Sequence, residues 1–232
     1  QTSLVGSEMC IRDRYGCLFE ELNEKYKNEF PRGTPLVCAC EKGRVEDVEG
    51  MIRGARAAGM DVTAMVSEVG KDSDGYSNTP LMIAAWYEHS TIIEILLQYN
   101  ADTATTDQYG QNALHSAAGT NETTTTTVQL LLNNMKLEDI NHKDRHGDTP
   151  LDDCYNYNDS SIKQQLIDLI RQKGGKRKSE LEEDGKKLSN DYESLKEKYE
   201  NEFPKGTPLV CACEKGRVED VEGMIRGARA AG

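Results

Sequence analysis

Two cysteine pairs are the residues of this sequence best placed for metal or redox chemistry. Cys38 and Cys40 are separated by one alanine, and the pair recurs at Cys211 and Cys213. Thiolates at this spacing can bind a soft metal ion or act as a redox couple. A zinc site would need a second pair at ligand spacing, which the sequence does not supply. Because free cysteine also packs as a small apolar residue, the pattern favours buried, reduced thiols over a metal or redox site.

The remaining ionisable residues form no recognisable catalytic motif. The sequence contains four histidines and 40 carboxylates, without a nucleophile elbow, a P-loop or a His-Glu-x-x-His motif. The basic run Lys-Gly-Gly-Lys-Arg-Lys at 173–178 is a weak candidate for anion binding or nuclear import, and a solvated linker is the favoured interpretation. We therefore predict no catalytic residue, no metal, no cofactor and no small-molecule substrate.

Charge and hydropathy argue against two further classes of function, nucleic-acid binding and membrane association. The net charge is 28 − 40 = −12, which argues against nucleic-acid binding because a phosphate backbone requires clustered lysine and arginine. No apolar run approaches the roughly 18 residues of a membrane span. The seven cysteines do not have the placement of a disulfide framework. These features predict a cytoplasmic protein without membrane contact.

The stretch from Asp74 to Asp107 shows which elements organise the chain. A turn cluster is followed by Thr79-Pro80, a typical helix start, and by closely spaced apolar residues from Leu81 to Ala85. A second apolar stripe runs from Ile92 to Leu97. Neither predicted helix can bury its apolar face alone, so neighbouring units must stack on both sides.

These residues resemble the ankyrin repeat, in which an Asp-x-x-Gly turn precedes Thr-Pro-Leu and a helix pair ends before Ala-Asp. Only Ser77, Glu88 and Asn100 depart noticeably, each replacing a glycine of the family pattern. The resemblance implies a mainly α fold, an ankyrin-repeat solenoid of stacked helix-turn-helix units with hairpin-like loops. Four repeats plus a truncated fifth are expected.

The predicted domain organisation has five parts. Residues 3–14 resemble the translation of a transposase-type sequencing adapter, so residues 1–14 are assigned as non-native. The other parts are an N-terminal capping helix at 15–30, ankyrin repeats 1–4 at 31–173, a charged linker and helix at 174–200, and a truncated copy of repeat 1 at 201–232.

The last part belongs to a long internal duplication. Glu197–Gly232 repeats Glu24–Gly59 with 34 of 36 residues identical. The sequence leaves open whether this is a tandem duplication or an assembly error. We expect the chain to be a fragment of a longer protein.

The resemblance also implies a function and a surface. The expected function is non-catalytic binding of a protein partner through the loop tips and the exposed faces of the first helices. Position by position, that surface comprises Tyr76, Asn78, Trp86, Tyr87, Gln108, Tyr109, Gln111, Arg145, His146, Asn156 and Tyr157. Tyrosine and tryptophan are common anchors of protein interfaces. Two alternatives remain: Trp86 and Tyr87 pack only on neighbouring repeats, or the repeats dock the substrate of an enzyme whose catalytic domain lies elsewhere.

Several local features give further expectations. A loop of unusual length is predicted between Asp61 and Asp74, and the threonine run at 123–127 predicts an enlarged turn with one threonine capping the next helix. Asp152 and Asp153 predict a polar outer face on repeat 4. The apolar period predicts a core that contains Leu81, Ala84, Ile92, Leu96, Leu114, Ala117, Leu131, Leu151, Leu166 and Ile167.

Overall fold

The computed structural model describes residues 2–121, 123–157, 161–202, 207–214 and 217–230, with side chains from residue 16 onward except those of 157, 214 and 230. The described residues are mainly helical, as the sequence predicts. The chain divides into two compact units, Gln1–Arg177 and Lys178–Gly232.

The described part of the first unit contains eleven helices and one short hairpin sheet. The elements are α1 (Thr2–Glu29), α2 (Pro35–Glu41), α3 (Val45–Ala57), α4 (Val62–Ser67), β1 (Gly70–Lys71), β2 (Ser77–Asn78), α5 (Pro80–Trp86), α6 (Ser90–Gln98), α7 (Ala113–Ala118), α8 (Thr125–Asn134), α9 (Leu137–Ile140), α10 (Pro150–Tyr157) and α11 (Lys163–Gln172). The two strands pair antiparallel, with Gly70 opposite Asn78 and Lys71 opposite Ser77.

Helix α1 is longer than the sequence predicts. Its backbone is helical from Thr2, whereas the apolar pattern predicts a helix only from Tyr15. The assignment of residues 1–14 as non-native stays a prediction, because a helical backbone is independent of the origin of a sequence.

Helices of the first unit pack in pairs. Helices α2 and α3 contact each other, as do α5 and α6, α7 and α8, and α10 and α11. The first helices also contact one another in chain order, α2 with α5, α5 with α7 and α7 with α10. The second helices do the same, α3 with α6, α6 with α8 and α8 with α11. Each pair between its two neighbours is therefore covered on both sides.

Three aspartates build the same turn ahead of three of these pairs. The Asp72 carboxylate accepts hydrogen bonds from the backbone N–H of the residues two and four positions later, and so do those of Asp107 and Asp144. The third residue after each aspartate is a glycine with φ between 78° and 95°, a backbone conformation that other residues adopt only with strain. The turn of the second pair thus begins at Asp72, two residues before the predicted turn cluster.

The predicted core is confirmed. All ten residues expected in it are at most 3% exposed, and they belong to one continuous apolar cluster that runs from Leu22 to Ile170. This follows from the helix pairs, since the apolar side of each helix faces its partner helix and the neighbouring pairs.

Two local expectations were wrong. Asp152 and Asp153 were predicted on a polar outer face, yet they are only 4% and 2% exposed. Asp152 is buried because its carboxylate accepts hydrogen bonds from the N–H and hydroxyl of Thr149 and from the Arg177 guanidinium. The predicted long loop after Asp61 instead contains α4, whose Val66 side chain is fully buried.

The second unit consists of α12 (Lys178–Glu202), α13 (Pro208–Glu214) and α14 (Val218–Ala230). All three helices contact one another. Their shared core contains Tyr199, Cys211, Ala212 and Met224.

Candidate functional site

An open groove of about 370 Å³ lies between two successive hairpin turns of the first unit. Its sides are the turn that begins at Asp72 and the turn that begins at Asp107, and its floor is α5. Seven of the eleven sequence-predicted site residues line it, namely Tyr76, Asn78, Trp86, Tyr87, Gln108, Tyr109 and Gln111. The structure therefore brings the predicted residues of two repeats together in one concavity.

The turns present Tyr76 and Tyr109 to solvent. Each tyrosine lies at a turn tip whose backbone N–H groups are held by the aspartate carboxylate, at 2.9 Å for Tyr76 and 2.8 Å for Tyr109. The phenol rings are left 58% and 49% exposed. The carbonyl of Tyr109 also accepts a hydrogen bond from the backbone N–H of Arg145, which ties its turn to the following one.

Helix α5 positions Trp86 and Tyr87. Thr79 caps the helix by accepting a hydrogen bond from the N–H of Met82, and Pro80 occupies its first turn. The helix buries its residues from Pro80 to Ala85, so that Trp86 at its last position and Tyr87 at its C-cap remain outside the core. The two residues are 47% and 43% exposed.

The lining of the groove is acidic and aromatic. In the described part of the chain it includes three aspartates and no lysine or arginine. Burial, together with the carboxylates of Glu41, Asp72 and Asp74, raises the pKa of the Tyr87 phenol, although the Lys42 ammonium opposes this shift. The groove therefore offers rings and negative potential, the two features that attract a cationic side chain.

The other four predicted site residues do not line this groove. Arg145, His146 and Asn156 are exposed, and the first two belong to the turn that begins at Asp144. The side chain of Tyr157 lies outside the described residues. Sequence reasoning also missed six lining residues, Asp72, Asp74, Ser77, Ile83, Asp107 and Ser116. The repeated Asp-x-x-Gly turn was the signal that could have identified Asp72.

The first cysteine pair lies in the interior of the first unit. Cys38 and Cys40 are buried free thiols. Burial, together with the Glu41 carboxylate, raises the pKa of Cys38 to about 11, and burial raises the pKa of Cys40 as well. Within the described residues, no three histidine, cysteine, aspartate or glutamate side chains lie close enough together to hold a metal ion.

His89 and His115 connect neighbouring repeats. The His89 Nε2 atom lies 3.1 Å from the carbonyl oxygen of Glu41, and the His115 Nε2 atom lies 3.2 Å from that of Asp148. Burial lowers the pKa of His115 to about 4, so the ring is neutral near pH 7. A neutral, buried imidazole bonded to backbone groups acts in packing here.

Helix pairs joined by aspartate-based hairpin turns, with a core that continues from pair to pair, define a helical repeat protein. Residues 71–117 match the family model described as ankyrin repeats (many copies). This match supports ankyrin repeats in that part of the chain, and it covers the two turns and the α5 helix of the groove. No curated protein matches the chain.

Ankyrin repeats are generally protein–protein interaction modules and are typically non-catalytic. Across the residues that the structure describes, no helix is both long and apolar enough to cross a membrane.

Proposed function

We propose that this chain is a non-catalytic protein-binding module. In this proposal the helix pairs α2–α3, α5–α6, α7–α8 and α10–α11 are four ankyrin repeats stacked as a solenoid, and a protein partner binds the groove above α5. The observation that carries the proposal is the groove itself, where four aromatic side chains, each 43–58% exposed, surround one concavity. Half-exposed tyrosine and tryptophan side chains are the usual anchors of protein interfaces.

The chemistry of the groove favours a segment that carries arginine or lysine beside apolar residues. The Asp72 carboxylate accepts hydrogen bonds from the N–H groups of its own turn and from the Asn78 amide. These bonds hold the carboxylate in place, where it contributes negative potential to the groove. Asp74 and Asp107 add to this potential. A guanidinium could stack on Trp86 or Tyr109 while facing these carboxylates. Its affinity should fall as salt screens the exposed charges.

The cysteines and histidines support the non-catalytic part of the proposal, and the cysteines also support a cytoplasmic location, which we propose as well. The six cysteines whose side chains are described are free thiols, as expected in a reducing compartment. Cys38 and Cys40 are buried with raised pKa values, so they are poor nucleophiles. His115 is buried and lies within hydrogen-bond distance of the Asp148 carbonyl.

A displayed peptide library tests the binding function. Peptides selected on the full chain should be enriched in arginine or lysine, and their affinity can be measured by fluorescence anisotropy. Trp86→Ala and Tyr109→Ala should each weaken binding by at least about fivefold, equivalent to about 1 kcal/mol. Asp74→Asn should weaken binding mainly at low salt.

Leu137→Ala is the matched control, because Leu137 is 58% exposed and lies outside the groove. It should bind the selected peptides as the unaltered chain does. Thermal denaturation of each variant separates binding from folding. If Trp86→Ala and Tyr109→Ala both unfold the chain, these residues pack rather than bind, and the proposed surface is wrong.

A further inference from the structure

The turns that begin at Asp107 and Asp144 are joined by their backbones. The N–H of Arg145, one position after Asp144, donates to the carbonyl of Tyr109, two positions after Asp107, at 3.0 Å. Each aspartate carboxylate holds its turn through the same two N–H groups, those two and four positions later. This bond therefore shows how the backbones of two successive turns can meet.

The corresponding backbone groups across the groove do not meet. They are the Gln108 N–H, one position after Asp107, and the Asp74 carbonyl, two positions after Asp72. Among the residues that the structure describes, neither group has a hydrogen-bond partner. Both residues are exposed and line the groove. One wall of the groove thus offers a backbone donor, and the other wall offers a backbone acceptor.

The turn that begins at Asp72 is longer than the next one. Asp72 precedes the helix cap Thr79 by seven positions, whereas Asp107 precedes the helix cap Asn112 by five. The first of these turns also contains the antiparallel pair of β1 and β2. Because the two turns differ in length, their backbones do not meet in the way that those of the following two turns do.

The N–H one position after the aspartate is bonded in the other two turns. The Ser73 N–H donates to the Glu41 carboxylate at 2.8 Å, and the Arg145 N–H donates to the Tyr109 carbonyl. In both cases the acceptor lies earlier in the chain, on the side of the preceding helix pair. At Gln108 the groove lies on that side instead, so a bound molecule can supply the acceptor.

The Gln111 side chain adds a second kind of polar group to the groove. Its backbone N–H is bonded to the Asp107 carboxylate, but its side-chain amide makes no hydrogen bond within the described part of the chain. A primary amide both donates and accepts hydrogen bonds. It can therefore pair with one peptide group of a ligand, which adds to the match with a polypeptide main chain.

We propose that a partner's polypeptide binds this groove as an extended segment between the two turns, where its main chain accepts a hydrogen bond from the Gln108 N–H and donates one to the Asp74 carbonyl. This inference rests on the proposed protein-binding function and specifies its mode. An extended segment carries unpaired N–H and C=O groups that can bond to neighbouring backbones. Its cationic side chain faces the acidic lining, while the main-chain bonds add affinity that is independent of its sequence.

Gln108→Pro tests the backbone donor directly. The turn 107–110 is closed by a bond from the N–H of its fourth residue to the carbonyl of its first, at 3.1 Å, and proline is favoured at the second position of such turns. Pro31 already occupies that position in the turn 30–33, which is closed in the same way at 3.0 Å. Gln108→Ala is the matched control, because it removes the side chain and keeps the N–H.

Peptides selected from the displayed library serve as the probe. They should bind Gln108→Pro at least about threefold more weakly than Gln108→Ala, as expected for the loss of one hydrogen bond. A series of peptide esters then locates the contact, since each ester weakens one main-chain acceptor of the peptide. One ester should lose affinity for the unaltered chain and for Gln108→Ala, but much less for Gln108→Pro, because both changes remove the same bond.

Trp86→Ala separates this inference from the proposed function. If Trp86→Ala weakens binding whereas Gln108→Pro and Gln108→Ala bind equally, the groove binds its partner without the main-chain bond, and the inference is wrong. A helical ligand would give this result, because its main-chain groups bond to one another. If Trp86→Ala leaves binding unchanged, the proposed function fails and the inference fails with it.

A second variant guards against misfolding of Gln108→Pro. Thermal denaturation shows whether each variant folds as the unaltered chain does. If Gln108→Pro does not, a backbone ester at residue 108, made by incorporating the α-hydroxy acid, removes the same N–H without the proline ring. It should show the same loss of affinity relative to Gln108→Ala, and equal affinity would refute the inference.

Discussion

Asp153→Asn should stabilise the first unit in a pH-dependent manner. Asp153 is 2% exposed, and its Oδ2 atom has no hydrogen-bond partner among the described residues. Burial, followed by the negative charges of Asp144, Asp148 and Asp152, raises the pKa of Asp153 from 3.8 to about 7. Its ionised form is therefore disfavoured in the folded state, while the unfolded chain ionises it freely.

The sign and size of the change in the free energy of unfolding follow from the difference in the pKa of Asp153 between the folded and unfolded states. Below about pH 4 both states hold the proton, and stability is unaffected by this group. Between about pH 4 and pH 7 only the unfolded state releases it, so the free energy of unfolding falls as pH rises. Each pH unit lowers the free energy of unfolding by roughly 1.4 kcal/mol, so the total decrease between about pH 4 and pH 7 is about 4 kcal/mol. An amide at this position cannot ionise, so it avoids this loss. It leaves a buried hydrogen-bond donor without a partner, which costs about 1–3 kcal/mol. The variant should therefore have a free energy of unfolding about 1–3 kcal/mol higher than the unaltered chain near pH 8.

The assay is urea unfolding at several pH values, followed by circular dichroism and by the fluorescence of Trp86, the single tryptophan of the chain. The advantage of Asp153→Asn should grow between about pH 4 and pH 8. Asp168→Asn is the control, since Asp168 is exposed on α11 of the same repeat, and its effect should not vary in this way. Parallel stability curves for Asp153→Asn and the unaltered chain would refute the reasoning.

Two further predictions concern the core and the thiols. Leu96 is fully buried in α6, so Leu96→Ala should lower the free energy of unfolding by about 2–5 kcal/mol; unchanged thermal denaturation would reject the repeat register. Cys38, Cys40 and Cys154 are buried free thiols, so they should react with a thiol reagent only slowly until the chain is denatured. Stoichiometric zinc in elemental analysis would contradict that prediction.

The repeat core could be predicted because its signal is local and periodic. Leu81 and Leu114 occupy the same position 33 residues apart, and both are buried between helix pairs. The same register predicted Trp86 and Tyr109 on one surface, and both residues line the groove. Their role in binding stays a prediction.

Features that depend on distant contacts could not be predicted. The threonine run was interpreted as an enlarged turn with one threonine capping the next helix. Thr124 does cap α8, but the helix already begins at Thr125. The hydroxyls of Thr124 and Thr127 both donate to the Glu88 carboxylate, at 2.8 Å and 3.0 Å. That carboxylate is supplied by the preceding repeat and offsets the weak helix preference of threonine. No local pattern indicates it.

The same limit applies to α4 and to the buried aspartates. Helix α4 has only six residues, with a local cap at Asp61, and Val66 anchors it by packing into the core. Asp153 carries no local sign of burial, because α10 is buried by its packing against α7 and α11. Tertiary packing overrides local preference at both places.

The aspartate turns separate the exposed side chains of this surface from the bonds that hold its backbone. At Asp72, Asp107 and Asp144 the carboxylate satisfies the backbone N–H groups of the turn, and a glycine supplies the one unusual backbone conformation. The side chains at the tips, such as Tyr76 and Tyr109, take no part in these bonds. Substitutions at the tips can therefore change the side chains that the surface presents while the turns keep these bonds.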